Sequence, residues 1–146
     1  MKIFLDTSSL FKLYHQETGT AELENVFIHQ KVTDVFLSEI AKVEFASSVW
    51  KKVRTNEISN NQALITIKLF EDDYAKYNFI TPDSLIIEQA RQLIAKYAMN
   101  GLRTLDSIQH STSISLNNKA DLFLTADQLL NNFMILEGLP TEFPKY

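Results

Sequence analysis

Three short runs, Ile3-Phe4-Leu5, Val35-Phe36-Leu37 and Leu122-Phe123-Leu124, are apolar at every position. A strand with one wet face alternates apolar and polar residues, whereas a strand covered on both faces is apolar throughout. Around these runs stand segments whose apolar residues recur at helical spacing, among them 39-EIAKVEFASSVWKKVR-54, 61-NQALITIKLFEDDYAKY-77 and 105-LDSIQHSTSISL-116. Buried strands alternating with helices imply an α/β fold, a parallel sheet between helical layers. Right-handed crossovers then bring the C-terminal ends of the strands to one edge, where open α/β sheets form their ligand sites.

The expected strands are 2–6, 32–38, a short piece at Phe79-Ile80, 121–125 and a last one at 134–136. Ser38 and Thr104 read as caps of the helices that follow them, Ser59 or Asn60 opens another, and Asp127 starts a short one. The helix begun by Asp83 is expected to end near Asn100-Gly101. With 146 residues, 3 Gly and 3 Pro, the chain reads as a single domain, 1–146, without a linker. No cysteine is present, which excludes disulfides and thiolate metal sites and fits a reducing compartment. No apolar run approaches the roughly 20 residues that cross a bilayer, and the N-terminus does not read as a secretory leader. The expectation is therefore a cytoplasmic protein with no membrane contact. The net charge of −4 argues against electrostatic coating of nucleic acid, but not against an acidic site neutralised by metal ions.

Four carboxylates fit the expected sheet edge. Asp6 ends the first strand, and Asp127 lies just beyond the run Leu122–Thr125. Asp106 falls in the first turn of a helix. Glu44 lies mid-helix between Ile40-Ala41 and Ser47-Ser48, on a stripe of apolar or small residues that should face the protein. Taken singly, each aspartate could be a turn or cap residue, and Asp106 also suits the helix dipole. Jointly they make an oxygen-only donor set for a hard cation, Mg²⁺ or Mn²⁺. Such ions activate water and stabilise the leaving oxygen in phosphodiester hydrolysis.

The pieces 5-LDTSSLFKLY-14, 38-SEIAKVEFASSVWKK-52, 102-LRTLDSIQHS-111, 121-DLFLTADQLL-130 and 137-EGLPTEFP-144 resemble, in this order, the PIN-domain ribonucleases, and within them the VapC-like toxins of VapBC toxin–antitoxin pairs. The resemblance implies a three-layer α/β/α sandwich with a mostly parallel sheet of about four to five short strands. It implies an endoribonuclease with Asp6, Glu44, Asp106 and Asp127 as catalytic and metal-binding residues, using Mg²⁺ or Mn²⁺. Thr125, in the family's "TxD" motif, would orient ligands, and Ser8 would line the pocket. Lys12 and Arg103 are candidates for contact with RNA phosphates. Where many relatives read "LDAIHLATA", this chain reads 105-LDSIQHSTS-113, with Gln109 at the usual His position and His110 one place on. A helical step of about 100° carries His110 off that face, toward a surface or an interface. The resemblance further implies a small antitoxin protein as partner and a homodimer. Phe45 and Trp50 read as core, or as dimer contacts if exposed.

Two other readings compete with this one. A catalytically silent PIN scaffold that binds protein or RNA has little reason to keep four mutually repelling carboxylates. A phosphatase using Asp6 as nucleophile would need a second Asp two residues on, where 6-DTS-8 has serine.

Overall fold

The computed structural model describes residues 1–141. Four strands, β1 (Lys2–Leu5), β2 (Asp34–Ser38), β3 (Asn78–Ile80) and β4 (Leu122–Leu124), form one sheet in the order β3-β2-β1-β4. All three pairings are parallel, with Ile3 opposite Val35 on one side and Leu122 on the other. The helices are α1 (Thr7–Phe11), α2 (Thr20–His29), α3 (Ala41–Arg54), α4 (Asn60–Asp72), α5 (Ser84–Tyr97), α6 (Thr104–Ser115) and α7 (Gln128–Leu136). None of them is long and apolar enough to cross a membrane.

Both faces of the sheet are covered, and this explains the unbroken apolar runs. Successive side chains of a strand point to opposite faces. Ile3, Leu5, Val35, Leu37, Leu122 and Leu124 join a core with residues of α1 to α4, whereas Phe4 and Phe123 pack with Leu116, Leu130 and Met134 on the other side. On the first side an aromatic cluster surrounds Phe70, whose ring centroid lies 4.4 Å from Phe45 and 4.9 Å from Tyr74. Tyr14 and Tyr77 join it, and the Tyr14 hydroxyl meets both the Tyr77 hydroxyl and the Asp73 carboxylate.

Several expected boundaries move. The run 134–136 is the last turn of α7 and not a strand. Leu130, Phe133 and Met134 are buried at i, i+3 and i+4, a helical stripe, and three apolar residues alone cannot distinguish the two states. The helix expected through residue 77 ends at Asp72 and is followed by a 3-10 turn, Tyr74–Lys76. Ser38 is the last residue of β2, and α3 begins at Ala41 with Ile40 in the capping position. Arg103, not Thr104, precedes the first turn of α6, with no side-chain cap. Trp50 is exposed, while Phe45 is core.

Ser59 opens α4 with a reciprocal capping box: its Oγ accepts from the Gln62 backbone N–H, and Gln62 Oε1 accepts from the Ser59 N–H. Ser59→Ala should lower stability by about 1 kcal/mol in urea denaturation without changing the sheet-edge site.

Candidate functional site

The strand ends build the site. Asp6 directly follows β1, and its backbone N–H continues the parallel pairing by donating to the Leu124 carbonyl at 3.2 Å. The chain turns at once into α1, capped by Asp6 itself, whose Oδ1 accepts from the Ser9 N–H at 2.9 Å. Thr125, at the end of neighbouring β4, donates from Oγ1 to Asp6 Oδ2 at 2.6 Å. Ser8 Oγ lies 2.8 Å from both Asp6 oxygens and accepts from the Ala126 N–H at 3.0 Å. Thr125 Oγ1 in turn accepts from the Asp127 N–H. Two hydroxyls thus link the ends of β1 and β4 and fix the direction of the Asp6 carboxylate.

Burial pushes the Asp6 carboxyl up from an ordinary value of 3.8 to about 6. The donors Thr125, Ser9 and Ser8 pull it down, and the Glu44 charge adds a smaller upward push. Asp106, in the first turn of α6, is also raised, first by burial and then by the negative charge of Asp127, against the pull of Arg103. Arg103 Nε donates to Asp106 Oδ2 at 3.3 Å, with most of its side chain in solvent. Asp127 caps α7 by accepting from the Leu130 N–H at 3.0 Å. Glu44, expected mid-helix, stands in the first turn of α3 because the helix begins only at Ala41, and it accepts from Thr7 Oγ1 and Gln109 Nε2.

All four carboxylates line one cavity of about 370 Å³, together with Ser8, Arg103 and Gln109. The small residues Ser47 and Ser48 of α3 leave the room beside Glu44 that their size suggests. Thr125 is fully buried beneath the floor. Lys12 borders an adjacent cavity of about 280 Å³ that shares Ser8 and Ser48 with the first. Its amine donates to Glu17 Oε1 at 3.0 Å and to the Thr18 carbonyl at 2.7 Å.

The donor chemistry suits a hard divalent cation: carboxylates and hydroxyls in one cavity, with mutual repulsion contributing to the raised Asp6 and Asp106. Among the described residues, however, no group of three or more His, Cys, Asp or Glu side chains converges enough to hold a metal ion. The set therefore fits an ion held by one or two carboxylates with water completing its shell, the usual manner of Mg²⁺, rather than an all-protein cage.

His110 does not face a surface or an interface partner among the described residues. It is fully buried in α6, beside the packed rings of Tyr97 and Phe133, and burial holds its imidazole down at about 4. The polar face of α6 is covered by α5 and α7, a tertiary contact that helical rotation alone cannot reveal. Two residues at the site carry roles that sequence reasoning does not assign, Thr7 and Gln109. Gln109 has a local signal, since it follows Asp106 by three positions and shares its helix face.

A family model described as PIN domain matches residues 3–133. None of the curated protein sequences matches the chain. Among solved structures, that of VapC20 from Mycobacterium tuberculosis, a sarcin–ricin loop cleaving toxin, is similar with a TM-score of 0.69 and 13% identity, over 90% of this chain and 94% of that one. The VapBC2 structure from Rickettsia felis, bound to a DNA fragment from its promoter, gives 0.66 and 14%, over 97% and 98%. VapBC-1 of nontypeable Haemophilus influenzae gives 0.63 and 15%, over the whole of both chains. At such identities the likeness shows the fold.

Proposed function

The chain belongs to the PIN domain family, and we propose that it is a divalent-metal-dependent endoribonuclease acting as the toxin of a toxin–antitoxin pair. The observation that carries this reading is the gathering of Asp6, Glu44, Asp106 and Asp127 from four separate segments around one cavity at the C-terminal edge of the sheet. These four are the residues that would hold Mg²⁺ or Mn²⁺, one or two of them directly and the others through water in the ion's shell. When bound, such an ion supplies Lewis-acid chemistry, lowering the pKa of water and offsetting charge on a phosphate. Ser8 and Thr125 keep the Asp6 oxygens oriented toward their task. Arg103, whose guanidinium reaches solvent beside Asp106, is the candidate to meet an RNA phosphate at the rim. Lys12 would add positive charge to the wall of the adjacent cavity, its amine being held by Glu17 and Thr18. The likeness to VapBC structures supports a small antitoxin protein as partner, and a cytoplasmic homodimer completes the proposal.

A second reading, a silent PIN scaffold that binds without cleaving, draws on the lack of a three-residue cluster among the described residues and on the hydrogen bonds that already occupy Asp6. Metal titration separates the two. Mn²⁺ at a hundred times its Kd stabilises the folded state by about 2.7 kcal/mol, which for a chain of this size raises Tm by roughly 5–10 °C. That rise, together with RNA cleavage abolished by a chelator, is the expected result. A flat Tm with no cleavage would leave the silent scaffold.

A further inference from the structure

The two oxygens of Glu44 have unlike surroundings. Oε1 accepts from Thr7 Oγ1 at 2.9 Å and from Gln109 Nε2 at 2.8 Å. Gln109 Nε2 also donates to Thr7 Oγ1 at 3.0 Å, so side chains from α1, α3 and α6 close a triangle of hydrogen bonds. Oε2 has no hydrogen-bond partner among the described residues. Every donor in the triangle points inward: the Gln109 amide reaches both Thr7 and Glu44, and the Thr7 hydroxyl reaches Glu44. Gln109 is almost wholly buried, and its own Oε1 is left without a partner. Its amide oxygen gains nothing in this position, so the side chain serves through its NH₂ group.

We propose that Gln109, together with Thr7, is a positioning residue that locks Glu44 in one rotamer, holding Oε1 and leaving Oε2 as the single oxygen offered to the cavity. The ligand role of Glu44 rests on the functional reading above, but the lock itself does not. A glutamate on a helix has three side-chain torsions to fix, and ordering such a chain at the moment of binding costs entropy. Donors that hold one oxygen beforehand remove that cost and give the carboxylate a fixed direction. Residues that orient a metal-binding side chain in this way typically change affinity 10–100-fold when removed.

The test compares wild-type protein, Gln109→Leu, which keeps volume and loses the donors, and Gln109→His, which retains one. Mn²⁺ affinity is measured by calorimetry, and the Glu44 rotamer by crystallography of the metal-free proteins. The expected result is about tenfold weaker Mn²⁺ binding for Gln109→Leu, recovery of most of it in Gln109→His, and a Glu44 side chain that leaves its rotamer only in the leucine variant. Wild-type affinity in Gln109→Leu, with Glu44 unmoved, overturns the lock while leaving the metal site standing. If wild-type protein binds no Mn²⁺, the metal reading fails, and the rotamer comparison decides the lock alone: release supports it and an unmoved Glu44 overturns it. Should Gln109→Leu not fold, Thr7→Val removes the other donor at nearly constant volume and is judged by the same two measurements.

Discussion

Asp6→Asn should reduce divalent-dependent RNA cleavage by more than about 100-fold, beyond the range for losing a residue that only orients a metal-binding group, while the protein stays folded. The reason lies in the cost of the charge. Asp6 is buried at the end of β1, and its carboxyl sits at about 6 rather than 3.8, chiefly through desolvation. An acid raised in the folded state contributes stability that is fully present below the unfolded value of 3.8 and is lost as pH rises through about 6. Each pH unit between those two values corresponds to about 1.4 kcal/mol, so ionised Asp6 opposes folding at neutral pH by on the order of 3 kcal/mol. Asparagine carries no such charge, so at pH 7.5 the variant should melt no lower than wild-type protein. A bound cation offsets the same charge. The stabilisation by Mn²⁺ should therefore weaken as pH falls below about 6 and disappear in Asp6→Asn. Purified Asp6→Asn protein that still cleaves RNA with Mg²⁺ or Mn²⁺ would remove Asp6 from the machinery.

Phe70→Ala should be the most damaging single change to stability. Phe70 is fully buried in α4 and meets Phe45, Tyr14, Tyr74, Tyr77 and Phe79, so its ring joins α3, α4, β3 and the segment after α1. Truncating a buried phenylalanine to alanine costs about 3–5 kcal/mol, from lost transfer energy and the cavity left behind. Against a typical total of about 5–15 kcal/mol, that brings the chain close to unfolding at physiological temperature. The same cluster supports Phe45, one residue from Glu44, so activity should fall with the folded fraction. Urea denaturation gives the measure. A loss below about 1 kcal/mol would show that neighbouring rings collapse into the space, and that the cluster is not the keystone of this face.

The layered architecture and the candidate acidic residues are legible in the chain itself. Continuous apolar runs at Ile3–Leu5 and Leu122–Leu124 fit strands covered on both sides, and strand ends in a parallel sheet share an edge. Asp6 and Asp127 stand out because each lies just past such a run, a relation written in neighbouring residues. Glu44 stands out from helical spacing, because Ser47 and Ser48 leave room on its face.

What depends on which elements touch is fixed only by the assembled fold. The run Met134–Leu136 is helical because Leu130 and Met134 find partners on one face of the sheet and Phe133 finds them on α5, a choice three apolar residues cannot express. His110 is buried because Tyr97 and Phe133 arrive from other helices, and no period in α6 encodes their approach. Gln109 reaches Glu44 across 65 positions of sequence, and Thr125 reaches Asp6 across 119. Hydrogen bonds between segments so far apart form only once the sheet has set their order. Periodicity is written locally in the chain, whereas the pairing of polar groups belongs to the assembled edge.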